Sequence, residues 1–270
     1  MVIQEDFPYG RYAEVYDRIG QRAFGERMAE AVLSWLPDGR QPPRHVLDLA
    51  CGTGAATLIF AAHGARVVGL DRSPPMLAGA REAAATAGLA IDFIEGDIRE
   101  ITVDGPFDLV TCFYDSINYL LETEELVQCF AGVQSVLAPD GFFFFDVNTR
   151  AKLNAWGEAP FIAVDRPDLF GVYEASYDPV SHRSPLRLTF FMRDEGDTSR
   201  WQRFDEEHVE RGYLLSEIDD ALERGGLERT HLVEIPNQGG PPGRPGTERS
   251  HRVLFVARLP RPLEAAPGAK

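Results

Sequence analysis

Apolar runs alternate with segments of helical spacing over the first 148 residues of the chain. The runs predict five strands, which read HVLDLA (45–50), ARVVGLD (65–71), IDFIEGD (91–97), FDLVTCFY (107–114) and GFFFFDVN (141–148). Helices are predicted between them at 55–62, from Pro74 to about Ala87 behind the N-cap Ser73, and from Glu122 to Leu137. This alternation predicts an α/β fold in which helices cover both faces of a mostly parallel sheet.

The pattern changes after Asn148. Residues 151–211 contain short strands separated by turn signals and no convincing helix, which predicts antiparallel hairpins inserted after the fifth strand. A helical pattern returns at 213–226, and two closing strands are predicted at 227–235 and 251–259. The main sheet is therefore expected to have seven strands.

Composition narrows the class of protein. The chain has 270 residues, of which 44% are hydrophobic, enough for one elaborated domain or two small ones. Its formal net charge of −15 disfavours nucleic acid as a partner, because binding to phosphates needs clustered cations. We see neither a membrane-spanning apolar run nor a secretory signal, and the three cysteines follow no pattern. These features predict a cytoplasmic protein that binds neither nucleic acid nor membrane.

The stretch VLDLACGTGAAT (46–57) combines a strand, an acidic residue and a glycine-rich turn that opens a helix. Glycines allow a ligand to approach the backbone, and the start of the helix offers free N–H groups. Asp71 ends the second strand, where a carboxylate can accept both hydroxyls of a ribose. A nicotinamide dinucleotide and S-adenosylmethionine fit these features equally well.

Three further features favour S-adenosylmethionine. Asp48 precedes the turn, where its negative charge suits an ammonium group and disfavours a pyrophosphate. The turn lacks the third glycine or alanine of the dinucleotide fingerprint. Asp97 ends the third strand, in position to accept a hydrogen bond from an adenine amino group.

Four motifs in order resemble those of the class I S-adenosylmethionine-dependent methyltransferases. They are LDLACGTG (47–54), VVGLDRSPPML (67–77), FIEGDIRE (93–100) and FDLVTCFYDSINYL (107–120), followed by the helix–turn–strand sequence LAPDGFFFFDVNT (137–149). The resemblance implies a Rossmann-like fold and S-adenosylmethionine as cofactor. Ala50 replaces the family's usual first glycine, a departure that we expect to affect packing more than chemistry.

The resemblance also implies roles for individual residues. Asp71 is expected at the ribose, and Asp97, the backbone of Ile98 and Met76 at the adenine. The implied cofactor-binding residues are Tyr12, Asp48, Ala50, Gly52, Gly54, Asp71, Arg72, Met76, Asp97, Ile98 and Phe113. Structural roles remain open: the glycines suit any tight turn, Asp71 a helix cap, Asp97 a turn and Met76 a core position.

The acceptor is predicted to be a small molecule. The loop FYDSINYL (113–120) lacks the N/D-P-P-Y/F motif of enzymes that methylate amino groups of nucleic acids and glutamine. Its residues Tyr114, Asp115, Ser116 and Asn118 are expected to face the methionine end of the cofactor, or to serve only as a cap and turn. The opening segment resembles one that folds over the cofactor in this family. Its residues Tyr9, Tyr12 and Tyr16 are expected either to pack near the sulfonium of the cofactor or to form the core-facing side of an amphipathic helix.

Candidate catalytic residues lie in RFDEEHVERGY (203–213). If this segment is a strand, Glu206 and His208 share a face, and Arg211 and Tyr213 follow closely. His208, Glu206 and Tyr213 are therefore our candidates for acid–base chemistry, with a solvated hairpin edge as the alternative. The other histidines have no ligand-like spacing, so no metal is predicted.

The predicted protein is an S-adenosylmethionine-dependent methyltransferase that acts on a small molecule. Residues 1–150 and 212–258 are expected to form the cofactor-binding domain, with 1–40 as a helical lid, 151–211 as an inserted β cap and 259–270 as a disordered tail. An NAD-dependent oxidoreductase and a non-catalytic binding protein are the alternatives. A monomer and a homodimer are both compatible with the sequence, as are oxygen, nitrogen and carbon acceptors.

Overall fold

The chain forms two sheets and their covering helices. The structure, a computed structural model, describes residues 9–35, 42–157, 159–194, 196–236 and 243–261. The strands are β1 (His45–Leu49), β2 (Arg66–Asp71), β3 (Asp92–Glu95), β4 (Phe107–Cys112), β5 (Leu137–Asn148), β6 (Phe161–Arg166), β7 (Leu169–Ala175), β8 (Arg183–Arg193), β9 (Trp201–Arg211), β10 (Glu228–Glu234), β11 (Arg244–Pro245) and β12 (Arg252–Arg258). The helices are α1 (Ala13–Tyr16), α2 (Arg22–Trp35), α3 (Ala55–Ala62), α4 (Pro74–Ala87), α5 (Thr123–Val136), α6 (Arg150–Trp156) and α7 (Leu215–Arg224), with a 3₁₀ helix at Ser116–Tyr119.

The larger sheet has the strand order β11-β10-β12-β5-β4-β1-β2-β3. Strands β1 to β5 pair in parallel, and β12 runs antiparallel to both β5 and β10, so the predicted mostly parallel α/β fold is confirmed. The expected count of seven strands is wrong by one. The extra strand, β11, has only two residues in a loop rich in glycine and proline, and is too short for an alternating pattern to reveal.

Helices cover both faces of the larger sheet. Side chains of α2 and α3 pack with Val46, Leu109 and Phe144 on one face. Helices α5 and α7 pack on the other face, against a cluster that includes Phe143 and Phe145. The alternation of neighbouring phenylalanines between the two clusters explains why the apolar run of β5 is continuous: the strand is buried on both sides.

Strands β6 to β9 form a separate antiparallel sheet in simple sequence order. The expectation of no helix within 151–211 is wrong, because α6 begins at Arg150. Thr149 caps it, since its Oγ1 accepts a hydrogen bond from the N–H of Lys152 at 3.3 Å. The capping residue followed by helix-forming residues was the signal for this helix.

The N-terminal segment (residues 9–35) lies against both sheets. Tyr12 and Val15 pack on the smaller sheet with Tyr173, Leu188 and Phe190. Part of the lid predicted over 1–40 and most of the tail predicted over 259–270 lie outside the described residues. No helix among the described residues is long and apolar enough to cross a membrane.

Candidate functional site

The glycine-rich loop joins β1 to α3 through several left-handed residues. Ala50, Gly52 and Gly54 have φ angles of +51°, +55° and +78°. A side chain at Ala50 therefore strains the backbone, so replacement of the usual glycine has a conformational consequence as well as the packing effect expected from the sequence. A Cβ on Gly54 would lie 3.0 Å from Leu58 and 3.3 Å from Ala80, so this glycine is needed for close packing.

A cleft opens beside this loop at the carboxyl ends of β1, β2 and β4, where parallel sheets bind ligands. Nine of the eleven residues predicted to bind the cofactor line it: Asp48, Ala50, Gly52, Asp71, Arg72, Met76, Asp97, Ile98 and Phe113. Gly54, at the end of the loop, packs against Leu58 and Ala80 and does not line the cleft, and Tyr12 lines a neighbouring cavity.

Asp71 braces the glycine-rich loop from the end of β2. Its Oδ2 accepts a hydrogen bond from the N–H of Gly52 at 2.8 Å, and its Oδ1 accepts one from the N–H of Ser73 at 2.8 Å. The side-chain cap of α4 is Ser73, whose Oγ accepts a bond from the N–H of Met76 at 3.3 Å. Burial raises the pKa of Asp71, and the two backbone bonds limit that rise. Each carboxylate oxygen keeps acceptor capacity for a further donor.

Asp48 lies deeper, beneath the loop. Its oxygens accept hydrogen bonds from the hydroxyls of Thr57 at 2.5 Å and Thr111 at 2.7 Å. Burial raises the pKa of Asp48 to about 6, although both hydroxyl bonds favour the carboxylate. A cationic ligand group in the cleft would favour the ionised form further.

Asp97 is held by a residue that the sequence analysis missed. Arg99 donates to both of its oxygens, at 2.9 and 2.6 Å, and also to Glu125 at 2.7 Å. Burial acts to raise the pKa of Asp97, but the bonds from Arg99 outweigh it and lower the pKa. Arg99 stands two residues after Asp97, and that spacing was the available signal.

The chemistry of the cleft fits S-adenosylmethionine. Asp48, Asp71 and Asp97 offer acceptors at three separate points of its wall. The cofactor carries donors at three corresponding groups, its ammonium, ribose hydroxyls and adenine amine. The acidic side chains also suit its positive charge.

A second and larger cavity, of about 1070 Å³, adjoins the cleft between the N-terminal segment, α6 and the smaller sheet. Five residues line both spaces and form the boundary between them: Tyr9, Tyr16, Gln21, Tyr114 and Tyr119. The boundary is therefore mostly aromatic, and the hydroxyl groups of Tyr9, Tyr114 and Tyr119 each have a hydrogen-bond partner.

A chain of polar contacts runs from the smaller sheet to this boundary. His208 lies on β9, 2% exposed, with Nε2 3.3 Å from Oε2 of Glu206 and Nδ1 2.8 Å from the hydroxyl of Tyr119. The hydroxyl of Tyr119 lies 2.9 Å from that of Tyr9. Glu206 also accepts bonds from the backbone N–H groups of Tyr9 at 2.9 Å and Tyr12 at 2.6 Å. The structure thus brings Glu206 and His208 together and adds Tyr119, which sequence reasoning had not linked to them.

Tyr213 and Arg211, which follow His208 in the sequence, line neither the cleft nor the larger cavity. Tyr213 is buried outside both spaces, and its hydroxyl donates to the backbone oxygen of Leu120, so its proposed place beside His208 is wrong. The chain leaves β9 at Arg211, and the strand alternation that aligned Glu206 with His208 ends there. Arg211 bonds to the backbone oxygen of Leu121 and to Glu217.

The loop after β4 contains both lining and framework residues. Tyr114 and Ser116 line the cleft, and Asp115 lines the larger cavity. Asn118 is fully buried and bonds to the backbones of Asn148 and Arg211, so it joins the loop to β5 and β9. Tyr12 is also bonded away from the cleft, with its hydroxyl 2.7 Å from that of Tyr173.

Glu210 was missed by the sequence analysis although it continues the same strand alternation. It lies on β9 two residues beyond His208, is 2% exposed and lines the larger cavity. Within the described parts of the chain, no group of three or more histidine, cysteine, aspartate or glutamate side chains is arranged to hold a metal ion.

Comparisons with known proteins identify the family of this chain. Residues 46–141 match the sequence model of a family described as methyltransferase domain. A protein of Geobacillus sp. (strain WCH70), whose name assigns it to the methyltransferases, is 30% identical over 251 residues, covering 93% of this chain and 99% of the relative. The dTDP-4-amino-2,3,4,6-tetradeoxy-D-glucose N,N-dimethyltransferase of Saccharopolyspora spinosa is 32% identical over 249 residues, covering 85% of this chain and 90% of that enzyme.

A solved structure resembles the whole described fold. The crystal structure of an S-adenosylmethionine-dependent methyltransferase from Clostridium acetobutylicum ATCC 824 superposes with a TM-score of 0.80 at 27% identity. The match covers 93% of this chain and 98% of that one, so it includes the smaller sheet as well as the larger.

Proposed function

This chain belongs to the S-adenosylmethionine-dependent methyltransferases, and we propose that it methylates a small-molecule acceptor bound in the larger cavity. When bound, the cofactor supplies a methyl group attached to a sulfonium sulfur. As the acceptor's lone pair bonds to this methyl carbon, the carbon–sulfur bond breaks and the sulfur leaves as a neutral thioether. The protein's main task is then to align the acceptor with that methyl group.

The cleft residues would hold the cofactor from three sides. Asp71 accepts from the ribose hydroxyls while it braces the loop, Asp48 faces the ammonium, and Asp97, fixed by Arg99, accepts from the adenine amine. Met76, Ile98 and Phe113 supply apolar contact. This assignment directs the methyl-donating end of the cofactor toward β4, because Asp48 is bonded to Thr111 of that strand. The boundary residues Tyr114 and Tyr119 lie in the loop that follows β4.

The observation that carries the proposal is the contact chain Glu206–His208–Tyr119–Tyr9 at that boundary. Both ring nitrogens of His208 have partners, so His208 acts on the acceptor through the hydroxyl of Tyr119. Glu206 fixes the ring and stabilises the imidazolium that forms when His208 takes a proton. In this role the smaller sheet is the cap that binds the acceptor.

Relatives support a small acceptor. The enzyme of Saccharopolyspora spinosa acts, by its name, on an amino sugar nucleotide, and a second relative from Streptomyces venezuelae is also named as an N,N-dimethyltransferase of such a compound. Since the matches are to methyltransferases, they favour methyl transfer over the NAD-dependent oxidoreductase considered from the sequence.

The test combines cofactor binding with turnover. Release of S-adenosylhomocysteine is measured against a panel of small amines, alcohols and carboxylates, and cofactor affinity is measured by calorimetry. We expect His208→Ala and Tyr119→Phe to lower turnover by about 10²- to 10⁴-fold, and His208→Ala to leave cofactor affinity nearly unchanged. His63→Ala, at an exposed histidine, is the control. Wild-type turnover by both variants from about pH 6 to about pH 9 would contradict the relay.

A further inference from the structure

Glu210 faces the larger cavity from the same side of β9 as His208. Its Oε2 accepts a hydrogen bond at 2.9 Å from the side-chain nitrogen of Asn148, and that nitrogen also donates to Oδ2 of Asp115 at 2.7 Å. A single amide group therefore bridges two carboxylates, and both carboxylates line the cavity.

The cations near Glu210 make their described contacts with other groups. Arg252 bonds to Asp115 at 2.9 Å and to Asp146 at 2.5 Å, so this cation is shared by two carboxylates other than Glu210. Lys152 faces the same cavity, with its Nζ 4.6 Å from the centre of the Trp156 ring. Burial, and next the charge of Asp115, raise the pKa of Glu210 well above its usual range. The charge of Arg252 acts against this rise, but no cation forms an ion pair with Glu210 among the contacts described.

The carboxyl groups of Glu210 and Asp115 offer a ligand acceptors at this end of the cavity, and the ammonium of Lys152 is a donor that faces the same space. A hydroxyl offers one hydrogen-bond donor, whereas a protonated amine offers as many as three.

Glu210 also lies near the boundary that the methyl group must cross. The pKa of Tyr119 is raised first by burial and next by the charge of Glu210, and Tyr119 lines both the cavity and the cleft. Glu210 is two residues from His208 on the same face of β9, and Nδ1 of His208 lies 2.8 Å from the hydroxyl of Tyr119. A group bound to Glu210 therefore lies in the same part of the cavity as that hydroxyl.

We propose that Glu210 is a catalytic residue that binds an amine acceptor and takes its proton before methylation. This inference rests on the proposed function and names its acceptor class.

Binding of the ammonium favours the ionised form of Glu210, so the proton that burial keeps on this carboxyl group is released to solvent. The N–H bond of the ammonium then breaks, its proton moves to the carboxylate of Glu210, and the electron pair stays on nitrogen. The products are a neutral carboxyl group and a neutral amine whose lone pair is free to accept the methyl group. Burial favours this neutral pair, because it disfavours separate charges. Methyl transfer makes the nitrogen cationic again, and this second proton is the one that His208 takes through Tyr119.

The experiment uses probe pairs that differ in one functional group: benzylamine with benzyl alcohol, and cyclohexylamine with cyclohexanol. Binding to the full chain loaded with S-adenosylhomocysteine is measured by calorimetry, and methylation by release of S-adenosylhomocysteine from S-adenosylmethionine. The variant is Glu210→Gln, which keeps the shape of the side chain. Glu207→Gln, at an exposed position on the opposite face of β9, is the matched control.

We expect the wild type and Glu207→Gln to bind and methylate amines in preference to the paired alcohols. Glu210→Gln should lose amine binding by about 10- to 100-fold, as expected for loss of a charged hydrogen-bond partner. The inference is overturned if amines show no preference in the wild type, or if Glu210→Gln binds them as the wild type does. If the wild type methylates only alcohols, and this reaction depends on His208, the amine acceptor is contradicted but the proposed function is not. Failure of the wild type to bind S-adenosylmethionine contradicts the proposed function itself.

Discussion

The carboxyl group of Asp48 should affect folding and cofactor binding in opposite directions. It is 2% exposed, and its surroundings contribute two threonine hydroxyls but no cationic partner among the contacts described. Replacement by asparagine keeps the shape and removes the charge. We therefore expect Asp48→Asn to stabilise the cofactor-free protein at neutral pH and to weaken its binding of S-adenosylmethionine.

The magnitude follows from the pKa. The folded protein holds the proton of Asp48 with a pKa of about 6, against 3.8 for the unperturbed group. The stability contributed by this proton is complete below pH 3.8 and is lost as the pH rises through about 6. The difference corresponds to about 3 kcal/mol in the free energy of unfolding, of which about half is lost between pH 5 and pH 8. An asparagine side chain does not titrate, so the Asp48→Asn variant should not show this loss.

Urea denaturation from pH 5 to pH 8 measures the effect, with Asp104→Asn at an exposed position as control. The unfolding free energy of Asp48→Asn should rise relative to wild type by roughly 1.5 kcal/mol over this interval, and the control should run parallel to wild type. At pH 8 the same variant should bind S-adenosylmethionine about tenfold or more weakly, because the ammonium loses a charged partner. Parallel unfolding curves for wild type and Asp48→Asn would refute the reasoning about burial.

Two further substitutions test the loop. Asp71→Ala should weaken cofactor affinity about tenfold or more in calorimetry, because the ribose hydroxyls lose a charged acceptor. Unchanged affinity in the folded variant would mean that Asp71 only stabilises the loop through its bonds with Gly52 and Ser73. Ala50→Gly should raise the unfolding free energy by roughly 0.5–1 kcal/mol, since it relieves a left-handed residue at some cost in chain entropy. The control is Ala78→Gly, at an exposed position in α4, which should lower the unfolding free energy by about 1 kcal/mol. If both substitutions change the unfolding free energy equally, the strain inferred at Ala50 is contradicted.

The sequence predicted the parallel sheet because its strands carry long apolar runs and its loop carries a dense motif. The bounds of α3 and α4 follow directly from the spacing and from the cap Ser73. The two-residue strand β11 has no periodic signal. The helix α6 was overlooked because strand-like runs dominate the segment that follows it.

The acceptor side was harder to predict because its contacts join distant parts of the chain. Alternation along β9 correctly paired Glu206 with His208, and one more step would have included Glu210. No local pattern could indicate that Tyr119, in the loop after β4, contacts His208. Tyr213 was misplaced because it was grouped with His208 by closeness in sequence, whereas β9 ends at Arg211 and the hydroxyl of Tyr213 bonds to the backbone of Leu120.

Hydrogen bonds also connect the surroundings of the cleft with those of the larger cavity. Glu206 on the smaller sheet accepts a bond from the N–H of Tyr9, and the backbone oxygen of Tyr9 accepts one from the hydroxyl of Ser73 at 2.9 Å. The backbone N–H of Ser73 in turn donates to Asp71, which holds Gly52 of the cofactor loop. A continuous series of hydrogen bonds therefore joins the smaller sheet to the glycine-rich loop through the N-terminal segment. Because Tyr9 also lines both the cleft and the larger cavity, the position of this segment contributes to the shape of both spaces. A substitution that moves Tyr9 should therefore affect the cleft and the larger cavity together.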